Sequence, residues 1–209
     1  MNAVLQKRAL NAHIFEKHAE EWYVEQSWCS SRLFDVEDFR GAVLDPACGR
    51  GQIPKSAMSR GLVAVGSDLV DRGAGYLVAD FLAPNYAETV SLPFGIPLHV
   101  VSNPPFERGR EFAERALDLI TPRAKVAMIF PTRQLNAAGA WLKFTPLKAV
   151  YYLTPRPSMP PGEIFEALLR EGKSPSGGKQ DFCWLVWQRG YIGSPIAAWL
   201  QRVEATRHA

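Results

Sequence analysis

The stretch Asp45-Pro46-Ala47-Cys48-Gly49-Arg50-Gly51 directly follows a short apolar run that is typical of a buried strand. A chain leaving such a strand must turn sharply, and Gly49 and Gly51 permit both the turn and a close approach of the backbone to a ligand. The next apolar run ends in Asp68, 17 residues beyond Gly51, where a carboxylate can accept hydrogen bonds from both hydroxyls of a ribose. Together these features predict a loop that binds a nucleotide-like ligand.

The surrounding sequence predicts a doubly wound, mostly parallel α/β sheet of the Rossmann-like type, because seven apolar runs alternate with helical patterns and turn residues. The predicted strands are Ala42–Asp45, Leu62–Ser67, Gly75–Ala79, Leu98–Ser102, Lys125–Phe130, Leu147–Leu153 and Phe182–Gln188. Crossover helices are predicted over Pro54–Arg60 and Gly109–Ile120, and a C-terminal helix is predicted around Trp199. Packing in the core accounts for Trp184, Trp187 and Trp199.

A chain of 209 residues with 47% hydrophobic composition fits a single domain over residues 1–209. Residues 1–40 are predicted to form an N-terminal helical cover, with one helix over Ala3–Glu21 and a second beginning near Ser27. The segments 131–146 and 154–180 match no regular pattern. Long connections of this kind inside a compact domain are typical of binding loops, so both are candidate substrate-binding loops.

Composition narrows the class of protein. The three cysteines form no metal-binding spacing, so we expect reduced thiols and no structural metal. No apolar run is long enough to span a membrane, and we expect a cytoplasmic monomer. The net charge of +3 is uneven, with fifteen basic and nine acidic residues after position 104. A basic second half suits a polyanionic partner, although a surplus of this size also fits an ordinary solvated surface.

A second acid follows the third predicted strand, where Asp80 and Phe81 reach the same edge of the sheet. Either acid alone is a common turn residue, but two in register after a glycine loop indicate a ligand. Asp80 can accept from an adenine amino group, while Phe81 or Leu82 covers the ring, and Leu69 beside Asp68 is a further candidate cofactor-binding residue. The chain lacks the glycine patterns of dinucleotide and nucleoside triphosphate sites, so S-adenosylmethionine fits better. Asp45 then suits its ammonium group, and residues 23–28, including Tyr23 and Trp28, would close the site.

The fourth predicted strand leads into Asn103-Pro104-Pro105-Phe106. Consecutive prolines fix the backbone and remove two donors, so the Asn103 amide oxygen and the Pro104 carbonyl can both accept from a substrate amine. Accepting both hydrogens of a conjugated amine would concentrate its lone pair toward a methyl donor without a strong base. Phe106 would stack on the ring of a base turned out of its duplex.

The two motifs, in this order, resemble those of DNA amino-methyltransferases of the class I, S-adenosylmethionine-dependent type, in particular adenine-N6 enzymes of phage and prophage. The glycine motif DPACGxG matches Asp45 to Gly51, and the catalytic (D/N/S)PP(Y/F/W) motif matches Asn103 to Phe106. The acids after the second and third strands match Asp68 and Asp80. The resemblance covers about residues 20–155 and implies that residues 23–28 hold the cofactor carboxylate.

The catalytic motif is shared by enzymes that methylate adenine N6 in DNA, guanine N2 in ribosomal RNA and a glutamine amide in release factors. The DPACGRG loop favours DNA. So do the basic residues beside the catalytic turn and in the two candidate loops: Arg108, Arg110, Arg133, Lys143, Arg156, Lys173 and Lys179. We expect no separate target-recognition domain, which favours a short or relaxed recognition sequence and leaves RNA or single-stranded DNA as alternative substrates. A catalytically inactive nucleic-acid-binding homologue is the remaining alternative.

Overall fold

The structure is a computed structural model that describes residues 22–203. Eight strands form one sheet: β1 (Ala42–Asp45), β2 (Val63–Asp68), β3 (Leu77–Val78), β4 (Leu98–Ser102), β5 (Lys125–Pro131), β6 (Leu147–Thr154), β7 (Phe182–Gln188) and β8 (Ile196–Gln201). The described residues also contain six α-helices: α1 (Ser27–Val36), α2 (Gln52–Met58), α3 (Tyr86–Val90), α4 (Gly109–Leu119), α5 (Leu135–Leu142) and α6 (Gly162–Arg170). Short 3-10 turns lie at Phe106–Arg108 and Thr132–Gln134.

The strand order is β3-β2-β1-β4-β5-β7-β6-β8. β7 runs antiparallel to both of its neighbours, and every other neighbouring pair is parallel. Strand β1 pairs with β2 on one side and with β4 on the other, so the direction of winding reverses beside β1. Open α/β sheets bind ligands at the carboxyl ends of the strands at such a point, because the loops diverge there and leave a crevice.

The sheet is covered on both faces, since successive residues of a strand point to opposite sides. Leu44 and Val100 face the layer that contains α3 and α4, where Phe112 is buried. Their neighbours Val43 and Val101 face the other layer, which contains α1 and α2. Because both faces are buried, the central strands are continuously apolar rather than alternating. Because the central strands are packed on both faces, the polar residues that follow them are held in defined positions at the ends of the strands.

The prediction of a doubly wound, mostly parallel sheet is confirmed, and each of the seven predicted strands is present with ends that differ by at most two residues. The two predicted crossover helices are also present, as α2 and α4. Helix α1 forms the described part of the expected N-terminal cover. The helix expected over Ala3–Glu21 lies outside the described residues.

The C-terminal helix predicted around Trp199 is wrong, because that segment forms β8 and pairs in parallel with β6. Its sequence of alanines, leucine and glutamine favours a helix locally, but β6 would otherwise offer an unpaired row of backbone groups. Pairing with β6 therefore overrides local preference. Trp184 and Trp187 are fully buried as expected, whereas Trp199 is 70% exposed, so the core assignment holds for the first two only.

The segments 131–146 and 154–180 contain helices that the irregular interpretation missed, α5 in the first and α6 in the second. Asn136 and Gly139 obscure α5, because neither residue favours a helix. Prolines before Gly162 and glycines after Arg170 obscure α6. Its apolar residues nevertheless recur at helical spacing, so the signal was present.

Within residues 22–203, no helix is long and apolar enough to cross a membrane. Over the same range, no group of three or more His, Cys, Asp or Glu side chains is arranged to hold a metal ion. Cys29, Cys48 and Cys183 are all buried free thiols.

Candidate functional site

A cavity of about 770 Å³ opens at the carboxyl ends of β1, β2, β3 and β4. This volume lies within the range of about 300–1,000 Å³ that is usual for small-molecule sites. Twelve residues predicted for the site from sequence lie in its wall: Tyr23, Asp45, Pro46, Ala47, Cys48, Gly49, Asp68, Leu69, Asp80, Phe81, Asn103 and Pro105. The two sequence motifs therefore meet in one cavity.

The glycine loop adopts the conformation for which glycine is needed. Gly49 and Gly51 have positive φ angles of 53° and 80°, and a Cβ on Gly51 would lie 2.1 Å from the Tyr76 hydroxyl. The Gly49 N–H donates to Asp68 Oδ2 at 2.8 Å, while the Val70 N–H donates to Asp68 Oδ1 at 3.0 Å. A carboxylate has about four lone-pair positions, so both oxygens can accept further hydrogen bonds. Asp68 thus holds the loop and remains able to bind a ligand.

Asp45 joins the ends of β1 and β4. Its Oδ1 accepts hydrogen bonds from the Ser102 hydroxyl at 2.7 Å and from the Ala47 N–H at 3.2 Å, and the residue is only 2% exposed. Burial raises the pKa of Asp45 well above its usual range; the Ser102 hydrogen bond lowers it, and the nearby Glu25 raises it further. A ligand cation would stabilise the charged form.

Asp80 and Phe81 occupy the end of β3 in different ways. Asp80 is exposed, and its Oδ1 accepts from the Leu82 N–H at 3.0 Å. The Phe81 ring is 1% exposed and packs edge-on against Tyr86 with centroids 5.0 Å apart. Phe81 therefore contributes to the cavity wall from a position largely within the core.

The Asn103 carboxamide is held by its nitrogen. Nδ2 donates to the Tyr23 carbonyl at 2.9 Å and to Glu25 Oε2 at 3.0 Å, so both amide hydrogens are used. Oδ1 is buried and has no hydrogen-bond partner among the described residues. A buried unpaired acceptor costs about 1–3 kcal/mol, which marks a place where a donor from a ligand would be favourable.

Four predicted site residues, Trp28, Gly51, Pro104 and Phe106, lie outside the cavity wall. Gly51 is the N-cap residue of α2, and the Trp28 Nε1–H donates to Gln26 Oε1 at 3.3 Å. The half-buried Phe106 ring stacks on Tyr23, with centroids 6.0 Å apart and planes 11° apart. It also packs against Phe182 at 5.7 Å.

Sequence reasoning did not select Trp22, Glu25, Arg72 or Glu166, all of which line the cavity. The Trp22 ring lies against Gly49 and Gly162, and the Arg72 guanidinium lies 4.5 Å from its centroid. Arg72 Nε is also 3.6 Å from Asp68 Oδ1. Arg50 of the glycine loop forms an ion pair with Glu166 of α6. The sequence could have indicated three of these residues only through their positions. Trp22 precedes the predicted segment 23–28, Glu25 lies within it, and Arg72 is four residues beyond Asp68.

The basic residues expected to contact phosphates fall into two groups. Four of them form exposed ion pairs: Arg108 with Glu111, Arg110 with Glu114, Arg156 with Asp181, and Lys173 with Glu171. The others, Arg133, Lys143 and Lys179, are exposed and form no ion pair within residues 22–203. Exposed pairs contribute only about 0–1 kcal/mol, so exchanging a carboxylate for a phosphate would cost little.

Comparison of structures gives the same fold in three proteins of low sequence identity. A candidate O-methyltransferase from Agrobacterium tumefaciens aligns with a TM-score of 0.53 and 15% identity over 88% of this chain and 90% of its own. A candidate RNA methyltransferase from Pyrococcus horikoshii aligns with a TM-score of 0.50 and 14% identity over 79% and 82% of the two chains.

The third is a candidate class I S-adenosylmethionine-dependent methyltransferase from Listeria monocytogenes, with a TM-score of 0.50, 14% identity and 83% coverage of this chain. The alignment spans 62% of the Listeria protein. No protein-family model matches the chain, and neither does any curated protein. The chain has the fold of class I S-adenosylmethionine-dependent methyltransferases.

Proposed function

We propose that this protein transfers a methyl group from S-adenosylmethionine to an exocyclic amino group, and that its substrate is adenine N6 in DNA. The observation that carries the proposal is the unpaired Oδ1 of Asn103, a buried acceptor in the same cavity as the glycine loop. Such an acceptor suits an N–H donor of a substrate, and the neighbouring acids suit the polar groups of the cofactor.

The chemistry of the donor set fits S-adenosylmethionine. Asp68 would accept from the ribose hydroxyls, and Asp80 from the adenine amino group, with Leu69 and Phe81 beside the ring. Burial raises the pKa of the Asp45 carboxyl well above its usual range. The positively charged ammonium group of the cofactor would compensate the negative charge of the ionised carboxylate. The cofactor supplies an electrophilic methyl group on a positively charged sulfur, and loss of the methyl leaves that sulfur neutral.

The substrate amine has to become more nucleophilic as the methyl arrives. Asn103 Oδ1 would accept one of its hydrogens, which favours a tetrahedral nitrogen with its lone pair directed at the methyl. Pro104 lies outside the cavity wall, so the structure lends no support to its carbonyl as the second acceptor. A new N–C bond forms, the S–C bond breaks, and one nitrogen proton leaves for solvent. The prolines restrict the backbone after Asn103 and the two hydrogen bonds of Nδ2 hold its amide, so little reorganisation is needed during the reaction.

The surface charges favour a nucleic acid as the substrate, and the resemblance of the DPACGRG loop to that of DNA enzymes favours DNA. Arg108 adjoins the catalytic turn and lines the cavity, and the basic residues of the segments 131–146 and 154–180 are exposed for phosphates. RNA is the second candidate, because the same chemistry suits a guanine amino group and the Pyrococcus neighbour is a candidate RNA methyltransferase. The intact Asn103 with its unpaired oxygen argues against a catalytically inactive homologue.

The test is methyl transfer from labelled S-adenosylmethionine to double-stranded DNA, single-stranded DNA, ribosomal RNA and a release factor. We expect label on DNA adenine, with N6-methyladenine in the digested product. Label on guanine N2 or on glutamine would reassign the substrate. Failure of S-adenosylmethionine to bind in calorimetry would overturn the proposal altogether.

The matched variant is Asn103→Ala. Removal of one group that stabilises a transition state typically slows turnover by about 100–1,000-fold, and cofactor affinity should stay within about twofold because Asn103 acts on the amine. Equal loss of cofactor binding and turnover would contradict this role for Asn103.

A further inference from the structure

Glu25 is a buried acid that the proposed chemistry does not use. It lies in the extended segment before α1 and is 4% exposed. Backbone hydrogen bonds hold this segment, since the Val24 N–H donates to the Pro160 carbonyl and the Gly162 N–H to the Trp22 carbonyl, both at 3.0 Å. These bonds fix the backbone directly before Glu25, and α1 begins two residues after it, so Glu25 has little freedom to move away.

The contact of Glu25 with Asn103 determines how the carboxamide is oriented. Asn103 Nδ2 lies between two acceptors, Glu25 Oε2 at 3.0 Å and the Tyr23 carbonyl at 2.9 Å. Turning the amide by 180° would bring its oxygen against both acceptors, where it could not donate. An ionised Glu25 therefore stabilises the orientation in which Oδ1 is left for the substrate.

We propose that Glu25 is a positioning residue, which in its ionised form holds Asn103 for methyl transfer and in its protonated form releases it. The inference rests on the proposed function and assigns a proton-dependent control to the same site. Protonation removes the charge that strengthens the hydrogen bond from Asn103 Nδ2 and allows Glu25 to donate to Oδ1 of a turned amide, so that only the Tyr23 carbonyl still opposes the turn. In the turned amide, Oδ1 is no longer left for the substrate. A carboxylate also polarises the amide through a charge-assisted hydrogen bond, making Oδ1 a stronger acceptor.

The surroundings place this change near neutral pH. Burial raises the pKa of Glu25 to about 7, while its backbone hydrogen bond and the Asn103 contact lower it. Glu25 is thus protonated below pH 7, and turnover should fall as the pH decreases. Asp45 from β1 and the thiol of Cys29 from α1 interact with its charge. The other charged groups in the cavity wall are Arg50, Lys55, Asp68, Arg72, Asp80, Glu107, Arg108, Glu166 and Arg170.

The first test compares the pH profiles of single-turnover methyl transfer in the wild type and in Glu25→Gln, with saturating S-adenosylmethionine and DNA. Below pH 7 we expect the wild-type rate to fall about tenfold per pH unit, which is the behaviour of one essential ionised group. Glu25→Gln should give a flat profile between pH 5.5 and 8 and a lower plateau, with the cofactor KM unchanged. Glu88→Gln, the same substitution at an exposed acid on α3, should keep the wild-type profile. A pH-dependent fall that persists in Glu25→Gln overturns the inference.

The second test needs no methyl acceptor. The side-chain amide signals of Asn103, identified by their absence in Asn103→Ala, are followed by NMR as the pH is changed. They should shift with a midpoint near 7 in the wild type, and the shift should vanish in Glu25→Gln. Amide signals that do not respond to pH overturn the inference, whatever the activity. Absence of methyl transfer to every acceptor overturns the proposed function and the positioning role, and a titrating amide would then show that the Glu25–Asn103 contact itself is present.

Discussion

Two buried glutamates lie at opposite edges of the sheet and differ in their partners. Glu25, at the carboxyl edge, and Glu37, at the amino edge, are each 4% exposed. Glu37 accepts hydrogen bonds from Lys125 at 2.5 Å, from Lys148 at 2.7 Å and from the Tyr151 hydroxyl at 2.8 Å. Glu25 has the Asn103 amide and a second buried acid, Asp45, near it.

The pKa values follow from these partners. Burial raises the pKa of both carboxyls, but at Glu37 the hydrogen bonds from Lys125, Lys148 and Tyr151 and the charge of Lys125 outweigh burial, so its pKa lies below the usual value. The pKa of Glu25 rises to about 7. A buried charge that is fully paired is a structural element, whereas buried acids without a cation beside an unpaired amide oxygen indicate a place for a ligand.

The Glu37→Gln substitution should have the largest effect on the fold. It leaves the Lys125 ammonium, whose side chain is 10% exposed, without its counter-charge. Breaking a buried ion pair from one side typically costs about 3–5 kcal/mol of unfolding free energy. Urea unfolding at pH 8 measures this loss. A loss below about 1 kcal/mol would mean that the two edges do not differ in the way we describe.

The Glu25→Gln substitution should increase the unfolding free energy above neutral pH, in contrast to Glu37→Gln. The folded-state pKa of about 7 exceeds the ordinary value of 4.5, so ionisation of Glu25 opposes folding and stability is lost as the pH rises from 4.5 to 7. Removing the charge should raise the unfolding free energy at pH 8, relative to the wild type, by on the order of 3 kcal/mol, with little difference at pH 4.5. Unfolding curves of both proteins at the two pH values test this, and a variant that is less stable at pH 8 would contradict it.

The Asp68→Ala substitution separates ligand binding from chemistry within the carboxyl edge. Loss of the proposed hydrogen bonds from ribose to a charged acceptor should weaken S-adenosylmethionine binding by about 1.5–3 kcal/mol. The Gly49 N–H also loses its acceptor, which acts in the same direction. Calorimetry measures the affinity, and an unchanged Kd would remove Asp68 from the site.

The Arg156→Gln substitution breaks an exposed ion pair and can be compared with the two substitutions at buried glutamates. Arg156 pairs with Asp181 at 2.6 Å, but both side chains are more than half exposed. Solvent screens such a pair, so we expect no measurable change in Tm. If Arg156 contacts a phosphate, the slope of log affinity for DNA against log salt concentration should become shallower by about 1. A clear loss of Tm would show that this loop is more tightly coupled to the fold than its exposure indicates.

The sequence placed both motifs at the cavity, although three motif residues, Gly51, Pro104 and Phe106, lie outside its wall. The glycine loop and the catalytic turn each follow a strand that is buried on both faces and therefore appears in the sequence as an apolar run. Because these strands are parallel, the loop and the turn lie at the same edge of the sheet. Trp22 and Arg72 belong to no motif; they reach the cavity through folding of the segment before α1 and of the turn after β2. Glu25 could be placed beside the site from its segment, but its contact with Asn103 depends on backbone bonds to residues 160–162 that no local pattern contains.

The error at Trp199 has the same origin as the success of the central strands. A strand that is buried on both faces can be predicted from its continuous run of apolar residues. β8 is mostly exposed at the edge of the sheet, and it forms a strand because it pairs with β6. Local preference is weak evidence for such a segment. Phe81 is a second case in which local sequence was weak evidence. Its position after Asp80 predicted a ring that covers the ligand, but it packs against Tyr86 and Phe112 and belongs mainly to the core.

The position of Trp22 provides an optical signal that requires no label. Of the tryptophans in the described chain it is the one in the cavity wall, with the Arg72 cation over its ring. A molecule that enters beside Gly49 would alter the polarity around this indole and therefore its emission. Fluorescence titration of the unmodified protein can thus report occupancy directly, and replacing Trp22 with phenylalanine supplies the blank.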